Sequence, residues 1–107
     1  MYKNLQKEVK LNLKDLLNYQ QGQVVSMTLV QNDKVSMTLF SFDKGEEIST
    51  HAASGDAMVT VLEGRGRFTV GNNVYYLETG DTLIMPKDIP HAVYGEEQFK
   101  MQLIVSY

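Results

Sequence analysis

The chain has two histidines and no cysteine in 107 residues, so any imidazole chemistry must come from His51 and His91. His51 closes the stretch Gly45-Glu-Glu-Ile-Ser-Thr-His51 and is followed by Ala53, Ala57 and Val61-Leu-Glu-Gly64. His91 follows Gly80-Asp-Thr-Leu-Ile-Met-Pro86 and Pro90. Imidazoles in such positions can ligate a metal, bind a carboxylate or hydroxyl, or move protons near neutral pH. Residues i and i+2 share one face of a strand, so the partner of His51 on its face is Ala53, which coordinates nothing. The nearest carboxylate is Asp56. Ser54-Gly55 reads as a turn that interrupts the alternation, so parity leaves the direction of Asp56 open; it is either a further metal ligand or a turn residue that bonds nearby backbone amides.

The elements that must position these side chains are mostly strands. Leu13, Leu16 and Leu17 fall on one helical face, with Asn12 as a candidate N-cap, which predicts one short helix over residues 12–18 that ends at Gln20-Gln-Gly22. Beyond Gln23 the period changes to two. Val25-Ser-Met-Thr-Leu29 and Val35-Ser-Met-Thr-Leu39 are the same pentapeptide on either side of Asn32-Asp33, the pattern expected of the two arms of a hairpin. Turn signals at 43–45, 54–56, 63–66, 71–73, 79–81, 86–90 and 95–97 divide the remainder into apolar-alternating runs at 47–51, 57–63, 66–71, 73–78, 82–85, 91–94 and 98–105. Many short strands without a second helical period predict a closed antiparallel sandwich or barrel rather than a parallel α/β fold.

Composition narrows the function classes. The length suits one domain with one core. A net charge of -3 offers no basic footprint for nucleic acid and no cationic face for acidic membranes. The lack of cysteine excludes disulfides, thiolate metal sites and cysteine nucleophiles. The first residues, Met-Tyr-Lys-Asn-Leu-Gln-Lys-Glu, contain no apolar run of signal-peptide or membrane-spanning length, and a cytoplasmic location is expected by default. Gly64-Arg-Gly66 precedes no helix that could cradle phosphate. Arg65 and Arg67 are expected to pair with surface carboxylates. Six methionines fill an irregular core or line an adaptable pocket. Met58 and Met85, with Tyr94 three residues beyond His91, are the candidates placed at such a pocket.

The two glycine-framed histidine segments, in this order and on a pattern that reads independently as a small barrel, resemble the two sequence motifs of the cupin superfamily. The resemblance spans about residues 34 to 105. It implies an all-β, RmlC-like cupin jelly roll, a double-stranded β-helix barrel, over a single domain 1–107, with residues 1–22 as an N-terminal arm carrying the short helix and 34–105 as the barrel core. It also implies that His51 and His91 converge in one cavity. In the family's first motif a second histidine usually stands two residues after the first and a glutamate or glutamine four residues further on. Here those positions are Ala53 and Ala57. A catalytic zinc normally has three protein ligands and non-haem iron commonly two histidines and a carboxylate, so the set is incomplete.

Three functions are therefore expected from the resemblance. The first is a barrel that binds a small polar molecule through His51 and His91, with Met58, Met85 and Tyr94 about the mouth. The second is a metal-dependent enzyme of isomerase, epimerase or dioxygenase type, in which Fe, Mn, Ni or Zn is held by His51, His91 and a further ligand such as Asp56. The third is a stand-alone sensing or dimerising module. A homodimer is expected through the sheet edge at Val24 to Val30, which would otherwise be left open.

Overall fold

A computed structural model describes all residues, 1–107. Strand periodicity dominates as expected: β1 is Val24–Gln31, β2 Val35–Phe42, β3 Glu47–His51, β4 Asp56–Val70, β5 Asn73–Glu78, β6 Thr82–Met85 and β7 His91–Ser106. The repeated pentapeptide forms the predicted hairpin. Strand β1 pairs antiparallel with β2, and the Asn32 side-chain oxygen accepts the amides of Lys34 and Val35 to close the turn.

Two expected turns are absent, and their absence builds the barrel. The sequence pattern predicts breaks at 63–66 and 95–97, yet β4 and β7 run straight through them and pair with each other antiparallel along nearly their whole lengths. The register between them slips at Val61/Glu63 and again at Gly64/Gly66. Such bulges bend and twist a strand without ending it, so each long strand leaves one sheet and enters the other. Residues 57–60 of β4 pair with β6 and residues 65–70 with β5. Residues 99–106 of β7 pair with β2, whereas its first residues pair with β3. The result is two sheets, β1-β2-β7-β4-β6 and β3-β7-β4-β5, sharing their two central strands. This is a jelly roll, nearly all β, as the resemblance implies.

Glycine is required at the corner. Gly64 has φ +78°, and a Cβ there would fall 2.0 Å from the Gln98 carbonyl oxygen. Gly66 carries the Phe99 and Phe68 rings against its backbone and pairs with Gly95 across the ladder.

Between the sheets lies one apolar core drawn from both, including Phe42, Val59, Val61, Phe68, Met85, Val93, Phe99 and Met101. Phe42 and Phe99 stack at 4.4 Å between centroids, and Phe68 meets Phe99 edge-on at 6.0 Å. The alanines of the first frame take part in this packing: Ala57 is buried and Ala53 is packed against the cluster.

The helix predicted over 12–18 is a single 3-10 turn, Leu13–Leu16. Asn12 provides no side-chain cap, and four residues are too few to offset the cost of nucleating an α-helix. Its leucines are nevertheless placed as predicted. Leu13, Leu16 and Leu17 pack with Leu29 and Leu39 on the outer face of the first sheet in a second, smaller apolar cluster. Polar contacts staple the same arm down: Lys100 Nζ donates to the Lys14 carbonyl at 2.6 Å, Ser41 to the Asn18 carbonyl at 3.1 Å, and the Tyr19 hydroxyl to Glu63 at 2.7 Å. Burial, reinforced by the Glu63 carboxylate, holds the Tyr19 hydroxyl well above its ordinary titration range. Further up the arm, the Lys3 amide donates to the Leu29 carbonyl and the Asn4 side chain to that of Thr28. Part of the β1 edge at Val24–Val30 is thus occupied by the chain's own arm and kinked by a bulge between Thr28 and Val30, which leaves less of it for pairing with a second copy. No helix is long and apolar enough to cross a membrane.

The corner glycine is directly testable. Gly64→Ala should lower the unfolding free energy by about 3 kcal/mol or more, because a left-handed backbone and a collision with a carbonyl act together. Gly22→Ala, also at positive φ but with nothing within 4 Å of the added carbon, should cost only about 1 kcal/mol. Urea unfolding of the two variants measures the difference.

Candidate functional site: the histidine pair

His51 and His91 come together. They are directly opposed in the β3–β7 ladder, their Nε2 atoms 3.2 Å apart and their rings edge-to-face at 4.4 Å between centroids. A local irregularity achieves this. Ile48 pairs with Val93, and undisturbed antiparallel register would then place residue 51 opposite residue 90; the slip between Ile48 and His51 sets it opposite His91 instead. Three residues on β3 span what two span on β7, so His51 and Ile48 project to the same side although they are three apart.

The second histidine is fixed by the loop before it. Pro86 and Pro90 limit the backbone, Asp88 turns through φ +65°, and the loop is tied to the end of the first frame by the Asp88 amide to the Ala53 carbonyl (3.0 Å) and the Lys87 amide to the Asp56 carboxylate (2.8 Å). Asp56, a candidate metal ligand in the sequence reading, is therefore engaged as the turn residue that anchors the loop presenting His91. No group of three histidine, cysteine, aspartate or glutamate side chains is arranged to hold a metal.

Hydrogen bonding settles the tautomers. The Nδ1 of His51 lies 2.9 Å from the Ser49 carbonyl oxygen and that of His91 3.2 Å from the Ile89 carbonyl oxygen. A carbonyl only accepts, so each Nδ1 carries a hydrogen and each neutral ring presents a bare Nε2. Two bare nitrogens at 3.2 Å repel each other. The pair is satisfied by a cation or by a group whose hydrogens reach both nitrogens. His91 is 3 % exposed and His51 is exposed. Burial, opposed by the Ile89 carbonyl and reinforced by the neighbouring His51, pushes the His91 pKa below its ordinary 6.5.

Of the other candidate ligand residues, none joins the pair at a cavity. Met85 is 1 % exposed within the core, opposite Ala57. Met58 follows Ala57 in a strand whose odd residues face inward, so it points to the outer face and is 37 % exposed. Tyr94 is three residues from His91 and by the same parity lies on the opposite face, where the Arg67 guanidinium stacks on its ring at 4.4 Å and bonds Glu96. Arg65 lies 3.9 Å from Glu78, so both arginines have the carboxylate neighbours expected of them. Beside the alanines the interior is packed: Ala57 is buried opposite Met85 and Ala53 packs against the same apolar cluster. The two locking carbonyls, Ser49 and Ile89, carried no sequence signal, because every residue has one.

A protein-family model described as Cupin domain matches residues 38–107. Among solved structures, a conserved protein of unknown function from Streptococcus pyogenes is 41% identical, with 98% of this chain and 92% of that one covered and a TM-score of 0.95. A cupin superfamily protein from Desulfitobacterium hafniense is 36% identical over 99% of this chain and 97% of that one, also with a TM-score of 0.95. A Cupin 2 conserved barrel domain protein from Leptotrichia buccalis is 42% identical over 91% of this chain but 47% of its own, with a TM-score of 0.89. No match was found among curated proteins.

Because the folded state holds His91 neutral, the unfolded chain binds the extra proton, and stability contributed by this site is full above the ordinary imidazole pKa and declines as the pH falls below it. Wild type should therefore lose more stability between pH 7.5 and 5.5 than His91→Asn, which cannot charge; thermal melts of both across that range give the comparison.

Proposed function

The chain belongs to the cupin domain family, and from that premise we propose that it binds a small polar molecule at the rim of the barrel through His51 and His91. The observation that carries this reading is the convergence of two Nε2 lone pairs, each committed to its role by an Nδ1–H bond to a backbone carbonyl. Two converging acceptors select a partner that brings hydrogens, such as an amine, an amide NH2 or a hydroxyl, over one that brings lone pairs. His51 offers the accessible face and His91 the buried, rigid one. With His51 exposed at the rim, the ligand is bound at the surface rather than engulfed, and dissociation constants of about millimolar order are expected for a few hydrogen bonds without extensive burial.

The chain's own donors do not fit a resident catalytic metal. Two imidazole nitrogens stand where three or four ligands are needed, and the nearest candidate third, Asp56, is held by the Lys87 amide. One observation favours a second reading. Nitrogens at about 2.1 Å from a metal and in adjacent coordination positions lie about 3.0 to 3.4 Å apart, and metal-bound histidines characteristically donate their other N–H to a carbonyl. The 3.2 Å separation and the two Nδ1 contacts suit that pattern. A divalent ion would then take two positions from the protein and the remainder from solvent or from the bound molecule.

Nitrogen-detected NMR of the two imidazoles tests the proposal. Titration with small amines, amides and polyols should shift both Nε2 signals together and neither Nδ1 signal. His51→Ala should weaken the response at least about tenfold, and acidification should suppress it, because the pair's own proton competes for the same lone pairs. Shifts confined to other residues would refute the site. Elemental analysis of the purified protein separates the readings, since stoichiometric iron, manganese, nickel or zinc that is lost in His51→Ala favours the second.

A further inference from the structure

One rung of the strand ladder holds the N-terminal arm, and its polar side chains point at the arm rather than at each other. Across four strands the rung runs Val25, Ser41, Lys100 and Glu63. Phe99 and Met101, on either side of Lys100, belong to the core, so the rung faces outward. Ser41 donates to the Asn18 carbonyl and Lys100 to the Lys14 carbonyl, while Glu63 accepts the Tyr19 hydroxyl. The Lys100 ammonium also lies 4.9 Å from the centre of the Tyr19 ring. Lys100 and Glu63 are direct ladder partners of opposite charge, yet they are not joined; the ion pairs of the chain are Arg65 with Glu78 and Arg67 with Glu96. The arm occupies the place that each would offer the other.

From this arrangement we infer that residues 12–19 form a releasable strap, which lifts off the sheet as a unit about Gln20–Gly22 while the barrel stays folded, and that Lys100 and Glu63 then pair with each other. Releasing a clamp ordinarily leaves buried polar groups and charges without partners, which is costly. Here the two charged ends stand opposite each other with Cβ atoms about 5 Å apart, so departure of the arm leaves an ion pair facing water. The strap is also outside the ladder. Its one backbone hydrogen bond is internal, from the Asp15 amide to the Asn12 carbonyl, whereas every strand is held by paired backbone bonds. It is therefore a separate and weaker cooperative unit, kept in place mainly by Leu13, Leu16 and Leu17 against Leu29 and Leu39. Both ends allow the movement. Gly22, at φ +70° with nothing within 4 Å of an added Cβ, has its amide fixed on the Asp43 carboxylate at 2.7 Å, so the hinge turns on a point anchored to the barrel. The exposed stretch 6–12 supplies slack at the other end. The strap thereby controls exposure of Leu29 and Leu39, which are 1 % and 0 % exposed beneath it.

The chain has no cysteine, so single thiols in the full chain report the opening. Leu17→Cys places one on the underside of the strap, and Val59→Cys, at a core position, places one inside the barrel. Under native conditions a thiol reagent should modify the first at least about a hundredfold faster than the second, with the circular dichroism of the barrel unchanged. In the Leu17→Cys chain, Tyr19→Phe should raise the rate about tenfold through loss of a hydrogen bond to a carboxylate. Adding Glu63→Gln to Tyr19→Phe should then lower it about threefold, because the open state loses its ion pair; a passive clamp would leave the rate where it was. Equal labelling of Leu17→Cys and Val59→Cys, or no response to Tyr19→Phe, would overturn the strap. An unchanged or faster rate on adding Glu63→Gln would overturn the re-pairing. Hydrogen exchange on the unsubstituted chain needs no variant to fold. The Asp15 amide should exchange through an opening less sensitive to urea than that of the β4 and β7 amides, and exchange of Asp15 only together with those amides would equally overturn the strap.

Discussion

The long antiparallel pairing of β4 with β7 is the constraint on which the rest of the molecule depends. Each strand belongs to two sheets, and they can do so only because the ladder between them bends at Gly64–Gly66 without breaking. The bend lets Val59, Val61 and Met101 from one sheet face Phe68 and Val93 from the other across a single core. A side chain at Gly64 would meet the Gln98 carbonyl, and one at Gly66 would displace the Phe99 ring that covers the corner. Backbone conformation and core packing are therefore set by the same residues, which is why the corner tolerates so little change.

The histidine pair is a consequence of that frame. β7 supplies His91 at the start of its path through the second sheet, and β3 can reach it only as a short partner strand on the same ladder. One residue of slippage in β3 turns His51 to the required side. The Pro86–Pro90 loop, held by Ala53 and Asp56, then fixes the ring of His91 from behind. The site consequently has a buried half, His91, and an exposed half, His51. With alanine at the two positions where the family usually places further ligands, those positions belong to the packed interior and supply no donor atoms. Family membership thus establishes the architecture, while the donor set of this chain limits what that architecture can do.

The outer surface divides in a comparable way. Part of the first sheet's outer face is covered by the N-terminal arm, whose leucines pack on Leu29 and Leu39 and whose polar groups are held by Lys100, Ser41 and Glu63. Beyond the arm, Met58 and Ile84 stand exposed on the same face beside Thr60 and Thr82. An arm of some twenty residues, with only one 3-10 turn of its own, takes its shape from the sheet beneath, because so short a helix is not stable by itself.

Period-two patterning, the repeated pentapeptide across Asn32 and the turn residues were sufficient to read a small antiparallel barrel from the sequence, since alternation and turn chemistry are local properties of the chain; the meeting of His51 and His91 was implied by the resemblance of their glycine frames to the cupin motifs. The leucines of the arm were legible for the same reason, although their turn is shorter than the pattern suggested. What the tertiary structure alone decided is where local signals mislead. Glycines at 64, 66 and 95 look like turn ends but serve as corner bulges, because a glycine marks a permissive backbone without saying whether the chain reverses or bends. Met58 and Tyr94 lie near the motifs in sequence but on the outer faces in space, because each stands an odd number of residues from an inward-facing one, Ala57 or His91. The carbonyls of Ser49 and Ile89, the anchoring of Asp56 and the filling of the interior by Met85 depend on contacts between segments distant in sequence, and such contacts exist only after the two sheets have closed on each other.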